Sequence, residues 1–222
     1  MKHETKPAQE TAETYPAASS PTIDPSEKMP AGAVRKYMPL FTTTTFNSFD
    51  DLFLIQIEDL YDTEQRLTKA LPKMAEAATS GQLKQAFQSH LTETEGHVSR
   101  LEQIFREINQ EPKRETCEAM KGLIAEGEEM IKAHGDSDIK DAALIAAAQR
   151  VEHYEISGYG TARSFAQRLG LTQAANLLEQ TLEEEKAADE KLNTIAESSV
   201  NSKASGAAGG TSSFGTGSTT RL

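Results

Sequence analysis

The chain has 222 residues, of which 37% are hydrophobic and 6% aromatic, and it contains no tryptophan. This composition is typical of one globular domain with a helical core built on small aliphatic side chains. The formal net charge of −11 argues against nucleic acids and anionic membranes as partners, because phosphate groups would repel the average surface, and it suits the binding of cations.

Cysteine usage and hydropathy indicate the compartment. Cys117 is the single cysteine, so the chain has no intrachain disulfide framework and no Cys-x-x-Cys metal site. The N-terminal residues lack the apolar core of a signal peptide, and no stretch approaches the roughly 18–20 apolar residues of a membrane span. We therefore expect a cytoplasmic protein that does not insert into membranes.

The chain divides into a periodic centre and two biased ends. Residues 1–46 are rich in Pro, Thr, Ser, Ala and Glu, and residues 198–222 are rich in Gly, Ser and Thr. Neither segment has a sustained hydrophobic period, so both are predicted to be disordered tails. Residues 47–197 show helical periodicity between a few breaks and are predicted to form one domain.

The first two predicted helices each carry a polar position inside an apolar stripe. In the first, residues 48–78, apolar side chains recur at steps of four and three, and Glu64 shares their face. In the second, residues 81–110, the same rhythm passes through His97, while Glu93 lies one position off the stripe. An ionisable group therefore faces the interior in both helices.

The third segment differs from the fourth. Residues 115–134 are less hydrophobic and contain two glycines, so we assign them to a helical crossover outside the bundle proper. The fourth predicted helix, residues 138–169, places Glu152 and Glu155 on its apolar stripe. Side chains three apart lie on one helix face, so both carboxylates can reach one site.

The fifth predicted helix completes the bundle. Residues 172–197 carry Glu185 and Asp189 on the apolar stripe, four residues apart. Short links after the first helix and before the last predict two antiparallel hairpins, and the third segment must carry the chain between them. The predicted fold is all-α, an antiparallel four-helix bundle with a long crossover that contains an extra helix.

Every bundle helix thus brings an acid or a histidine to the interior. Buried carboxylates that are not compensated lose several kcal/mol of solvation, and a group of them repels itself, so protons or cations must supply the balance. Two divalent metal ions would do so, and oxygen-rich ligation with one imidazole favours iron or manganese over zinc. The candidate metal ligands are Glu64, Glu93, His97, Glu152, Glu155, Glu185 and Asp189.

Other polar residues near these positions receive ordinary interpretations. His90 is interpreted as a hydrogen-bonded core histidine and His153 as an exposed side chain. Glu183 and Glu184 are interpreted as parts of a solvated helix face, although a rotation by one residue would exchange Glu184 with Glu185. Cys117 is assigned a packing role, because no activating partner is apparent from the sequence.

Four segments carry a resemblance to known proteins: DLYDTEQRLTKALPKM (59–74), HLTETEGHVSRLE (90–102), AQRVEHYEISGYGT (148–161) and TLEEEKAAD (181–189). They resemble the ferritin-like superfamily and, more closely, the bacterial YciE/YciF family of stress-associated proteins, over roughly residues 47–197. The resemblance implies a ferritin-like bundle, a homodimer and a candidate di-iron site.

The chain departs from the superfamily's ligand pattern at two positions. That pattern pairs Glu with His at spacing three on two helices. Here Thr94 stands three residues before His97, and Asp189 stands where the resemblance implies a second histidine. Both departures argue against efficient oxidation of iron by this chain.

Two functions follow from these expectations. The first is a metal-binding stress protein whose bundle holds two iron or manganese ions, with oxidation of Fe(II) or consumption of peroxide as candidate activities. The alternative is a non-catalytic, dimeric interaction protein whose buried acids form a metal-free polar network. Iron storage in a large cage is a third interpretation, which the resemblance to dimeric proteins disfavours.

Overall fold

The computed structural model describes residues 46–207, and all regular secondary structure in that range is helical. The tail predictions fall mainly on residues 1–45 and 208–222, which lie outside the described range. The elements are α1 (Phe49–Ala77), α2 (Gly81–Glu107), α3 (Glu118–Lys132), α4 (Ser137–Leu169), α5 (Thr172–Ile195), a π-helical turn (Ala196–Val200) and α6 (Asn201–Ala207). The all-α class predicted from the sequence is confirmed.

Local polar side chains and one glycine fix the helix ends. The Ser48 hydroxyl accepts a hydrogen bond from the Asp51 N–H, and the Asp51 carboxylate accepts one from the Ser48 N–H. This reciprocal pair satisfies backbone donors that the first turn of α1 leaves free. Ser80 and Asp136 cap α2 and α4, and Gly170 ends α4 with φ 73°, a conformation that favours glycine.

The helices are connected as two hairpins joined by a crossover. A short turn joins α1 to α2, another joins α4 to α5, and α3 lies on the connection between the two pairs. Within the bundle α1 also packs on α4 and α2 on α5, while α3 lies against α4 and α1. This arrangement agrees with the predicted four-helix bundle with an extra crossover helix. Among the described helices, none is both long and apolar enough to cross a lipid bilayer.

The C-terminal boundary of the domain lies later than the predicted residue 197. The chain continues from α5 through the π-helical turn into α6, so residues 198–207 are helical. Val200 explains the extension, because its side chain is buried in the same apolar cluster as Leu192 and Ile195. The first residues of the predicted tail therefore contribute to the core.

Two apolar clusters fill opposite ends of the bundle interior. One contains Leu71, Phe87 and Leu144, near the α1–α2 turn. The other contains Phe53 and Phe105, with their neighbours at the start of α1 and the end of α2. The middle of the bundle, between these clusters, holds most of the buried polar side chains.

A buried aspartate fastens the crossover to the first helix. Asp62 on α1 is 2% exposed and accepts hydrogen bonds from the Cys117 N–H at 2.9 Å and from Arg114 Nε at 3.0 Å. Arg66, one turn further along α1, donates to the same carboxylate. Burial opposes ionisation of Asp62, but these donors outweigh that effect and hold the pKa of its carboxyl below its usual value.

Gly158 allows α4 to approach α1 closely beside the polar layer. A Cβ built at Gly158 would lie 2.9 Å from Cδ2 of Leu60, closer than side chains normally pack. Leu60 is 1% exposed and occupies the space that a larger residue would need. The small residue thus sets the spacing of two helices that both carry polar groups of the middle layer.

Candidate metal centre

Ionisable side chains from all four bundle helices meet in the middle layer of the interior. None of them is more than 6% exposed. The contributing residues are Glu64 on α1, His90 and His97 on α2, Glu152 and Glu155 on α4, and Glu185 on α5. No lysine or arginine is buried in the described part of the chain. Ionising all of these groups would therefore cost folding free energy, and these side chains require protons or cations.

Helix geometry explains why these positions meet. His90 and His97 are seven residues apart, which is close to two helical turns, so both imidazoles leave α2 on one face. Glu152 and Glu155 are three apart and share a face of α4. The hairpin topology then brings the inner face of α5, with Glu185, next to both pairs.

The side chains form two ligand groups that share one carboxylate. In the group around His97, Nδ1 lies 3.4 Å from Glu64 Oε1 and 2.9 Å from Glu185 Oε1. In the group around His90, Nε2 lies 3.4 Å from Glu152 Oε2 and 3.5 Å from Glu185 Oε2. The ligand atoms of each group lie within 4.8 Å of one another. Glu185 therefore presents one oxygen to each group.

The inward atoms of this cluster make no hydrogen bond of favourable geometry among the described residues, although His97 Nδ1 and Glu185 Oε1 approach to 2.9 Å. They include one ring nitrogen from each histidine and at least one oxygen from each glutamate: His90 Nε2, His97 Nδ1, Glu64 Oε2, Glu152 Oε2, both oxygens of Glu155 and both oxygens of Glu185. Buried polar atoms are nearly always paired in folded proteins, so such a concentration requires an explanation. All of these atoms can act as lone-pair donors to a cation.

The outer nitrogens of both histidines are held by carboxylates. His90 Nδ1 lies 3.2 Å from Glu93 Oε2, and His97 Nε2 lies 2.8 Å from Glu184 Oε2. Arg100 orients Glu184 through two hydrogen bonds, of 2.6 and 2.7 Å. Carboxylates in this position fix the tautomer and orientation of metal-binding imidazoles, because the outer nitrogen keeps its hydrogen and the inner one presents its lone pair.

A tyrosine orients the carboxylate of α1. The Tyr159 hydroxyl on α4 donates a hydrogen bond to Glu64 Oε1, and the tyrosine is only 1% exposed. The other oxygen of Glu64 stays without a partner. Glu64 is therefore fixed in direction while one oxygen remains available.

Burial and mutual repulsion shift the protonation of the cluster when no metal is bound. Burial raises the pKa of Glu152 and of Glu155 well above the usual range, and the neighbouring carboxylate of Glu185 raises both further. Burial alone would lower the pKa of His97, but contacts with Glu185 and Glu64 outweigh it and raise the pKa to about 11. Without metal, the cluster balances its charge by holding protons.

Five of the seven predicted ligands belong to the two groups, and two do not. Glu64, His97, Glu152, Glu155 and Glu185 all lie in the cluster. The remaining two, Glu93 and Asp189, lie outside it.

The two outlying acids point away from the interior for different reasons. The Glu93 side chain is 38% exposed and lies 3.2 Å from the outer nitrogen of His90. The Asp189 carboxylate accepts a hydrogen bond from Gln149 at 3.2 Å and lies 3.4 Å from His153 Nε2. The structure therefore places these two predicted ligands around the cluster and not among its members.

His90, which the sequence suggests is a hydrogen-bonded core histidine, lies in the second ligand group of the structure. Its signal was present in the sequence, because His90 lies on the same stripe as His97 and two turns before it. Glu184 was interpreted as solvated, but it bonds to His97 and Arg100. His153 is 71% exposed, as expected.

Comparisons with known proteins support the architecture. The family model described as a domain of unknown function, DUF892, matches residues 48–205. Protein YciF of Escherichia coli (strain K12) is 48% identical over 158 residues, which cover 71% of this chain and 95% of that protein. The residues that the family model matches include all positions of the cluster.

Solved structures give the same result at the level of the fold. The crystal structure of the E. coli stress protein YciF has 46% sequence identity and a TM-score of 0.68, and the match covers 70% of this chain and 99% of that chain. YcfI from Rhodopseudomonas palustris has 44% identity, a TM-score of 0.67 and the same two coverages.

Proposed function

The chain belongs to the DUF892 family and is a YciF-like protein, and we propose that its buried cluster binds two divalent metal ions, iron or manganese. One ion would be held by Glu64, His97 and Glu185, and the other by His90, Glu152, Glu155 and Glu185. The ions would supply redox chemistry, with oxidation of Fe(II) or consumption of peroxide as the candidate activities. The protein would act as a stress-response protein.

One observation carries this proposal. Buried nitrogen and oxygen atoms from four helices face one another without hydrogen-bond partners among the described residues. A structural polar network would pair its donors and acceptors, whereas a metal site leaves lone pairs free on the inner side. Mostly carboxylate ligation with one imidazole in each group suits iron or manganese better than structural zinc.

The surrounding residues have defined tasks in this proposal. Glu93 and Glu184 hold the outer nitrogens of the two histidines, so the inner nitrogens stay directed at the ions. Tyr159 holds Glu64 in place. The apolar clusters on both sides limit the contact of the site with water, which strengthens the attraction between carboxylates and cations.

Elemental analysis tests the proposed function directly. The untagged protein is purified without chelator and analysed, and the analysis is repeated after anaerobic loading with Fe(II) and removal of free metal. We expect close to two ions per chain, as the two ligand groups imply. Absence of metal from both preparations would contradict the proposal.

The second candidate function is the metal-free one, a dimeric helical bundle that acts by interaction and not by catalysis. It is favoured by the raised pKa values of Glu152 and Glu155, because protonated carboxyls can share hydrogen bonds in a buried network. This alternative predicts no bound metal and an unfolding midpoint that a chelator leaves unchanged.

We propose a homodimer in the cytoplasm for either function, without nucleic acid or membrane as partner. Gel filtration would check the oligomeric state, and fractionation of cells would check the location.

Metal binding is expected to release protons. At neutral pH the metal-free cluster holds protons because the pKa of His97 is raised to about 11 and the pKa values of Glu152 and Glu155 are also raised. Cations must displace these protons, so affinity should fall as the pH is lowered. Titration calorimetry in two buffers of different ionisation enthalpy should show a net release of protons, to which His97 contributes about one per chain. Equal heats in the two buffers would contradict the pKa directions.

A further inference from the structure

An apolar cavity lies between α3 and the bundle. It has a volume of about 40 Å³. Its walls come from α1, α2, α3 and α4, and include Leu67, Leu71, Phe87, Ile124, Ala148 and Val151. Few polar atoms contribute to this surface.

The polar atoms that do reach the cavity belong to the cluster. His90 and Glu152 both line it, and the side chains are 7% and 3% exposed. Their inward atoms, His90 Nε2 and Glu152 Oε2, have no hydrogen-bond partner among residues 46–207. The cavity thus connects the space beneath α3 with one of the two ligand groups.

A separate opening of different character reaches the same two residues. It lies between α2 and α5, has a volume of about 160 Å³, and is lined by Glu93, Glu184 and Lys191 in addition to His90 and Glu152. Charged side chains at this opening suit the passage of hydrated cations. The apolar cavity is therefore not needed as an ion path.

Size and lining decide what the apolar cavity can hold. A water molecule needs roughly 10–15 Å³ of such volume and two to four polar partners, and apolar cavities remain dry and bind small apolar molecules. A volume of about 40 Å³ excludes a lipid chain or an aromatic substrate. Peroxide would leave most of its hydrogen-bonding capacity unused against these walls.

The outer edge of the cavity is polar and easily solvated. Lys73 on α1 and Glu128 on α3 line it and form an ion pair at 2.8 Å, with side chains 56% and 36% exposed. Exposed pairs of this kind stabilise a structure only weakly, so they hinder a small molecule little. None of the residues of the His97 group, Glu64, His97 and Glu185, lines this cavity or the opening between α2 and α5.

We propose that the cavity beneath α3 is a binding site for a small uncharged apolar molecule of the size of dioxygen, next to His90 and Glu152. The two ligand groups then differ, since only the His90 group adjoins both openings. The purpose of this site rests on the proposed metal centre, because a gas bound there would serve as the oxidant. Binding in the cavity itself requires no metal.

The test uses xenon and dioxygen on the metal-free full chain. Crystals pressurised with xenon should show one xenon atom in the cavity. Gly127→Leu should abolish it, because Gly127 lines the cavity and a Cβ there meets nothing within 4 Å, so the new side chain can fill the space. Gly122→Leu on the exposed side of α3 is the matched control and should bind xenon like the unchanged protein.

A second variant and a second probe keep the test decisive. Ile124→Ala enlarges the cavity and should increase xenon occupancy. Dissolved dioxygen, which is paramagnetic, should broaden the methyl resonances of Leu71, Ile124 and Val151 more than those of Leu101 in the other apolar cluster. An empty cavity under xenon, or equal broadening of all these methyls, would overturn the inference. Since neither probe needs metal, such a failure is distinct from a failure of the elemental analysis, which would overturn the proposed function.

Discussion

Replacing Glu152 and Glu155 together by glutamine is expected to remove the metal ion of the His90 group, while the ligands of the His97 group stay unchanged. Both carboxylates belong to the His90 group, and Glu155 has both oxygens unpartnered. Glutamine keeps the volume of the side chain but removes its charge, and a neutral amide oxygen is a much weaker ligand for a divalent cation. Elemental analysis after anaerobic loading with Fe(II) should show about one ion per chain, against about two in the unchanged protein, because only one of the two ligand groups is disrupted.

Added metal should stabilise the folded state of the same variant less than it stabilises the unchanged protein. A ligand that binds only the folded state stabilises it by about 2.7 kcal/mol at a free concentration one hundred times its Kd. For a domain of this size that corresponds to a rise in Tm of roughly 5–11 °C. We expect such a rise for the unchanged protein when Fe(II) or Mn(II) is added anaerobically, and a clearly smaller rise for the double variant, which keeps only the His97 group.

The chain offers a matched control for this experiment. Glu126 and Glu129 are also three residues apart on a helix, α3, but both are exposed. Their joint replacement by glutamine changes the net charge equally and should leave metal content and the metal-induced rise in Tm unchanged. If the two double variants behaved alike, binding would reflect surface charge and the assignment of the cluster would be wrong.

The substitution Asp62→Asn is expected to lower the free energy of unfolding strongly. Breaking a buried ion pair typically costs 3–5 kcal/mol, because the remaining groups stay buried without compensation. Here Arg66 and Arg114 keep contact with solvent, with side chains 26% and 40% exposed, so we expect about 3 kcal/mol. Urea denaturation at pH 7 should show this decrease in the free energy of unfolding.

The pH dependence distinguishes this effect from a loss of packing. The pKa of Asp62 is lowered in the folded protein, so its contribution is present above the unfolded value, about 3.9, and is lost as the pH falls through the folded value. The stability difference between the unchanged protein and Asp62→Asn should therefore shrink in acid. Glu76→Gln, at an exposed position of α1, should cost less than about 0.5 kcal/mol; an equal loss in both variants would contradict the role of Asp62.

The helical architecture could be predicted because its signals are local. Apolar periodicity, the serine caps and Gly170 mark helices and turns within a few residues of their observed ends. Short links force antiparallel neighbours, which settles the topology. The end of the domain could not be predicted in this way, because residues 198–207 have a polar composition and are held in place by the burial of Val200 against other helices.

The sequence predicts that carboxylates and a histidine meet in the interior of the bundle, but it does not identify every member of the cluster. Successive residues on a helix differ by about 100° in direction, so a small rotation decides whether Glu184 or Glu185 faces inward. Packing against α2 turns Glu185 into the cluster and leaves Glu184 for the outer nitrogen of His97. The same uncertainty in side-chain direction explains why Glu93 and Asp189 are predicted as ligands although they lie outside the cluster. His90 is not predicted for another reason, because a histidine on an apolar face is more often a structural residue.

The division of the Glu185 carboxylate between two imidazoles has a consequence for how the sites fill. An ion in the His97 group would fix the side-chain rotamer of Glu185 through Oε1, and this also aims Oε2 at the His90 group. The ordering entropy is then lost once, at the first binding step, so the second ion binds to a partner that is already in position. At substoichiometric metal the population should consist mainly of empty and doubly filled chains, and a transient shortage of metal would reduce the number of complete centres without leaving many half-built ones.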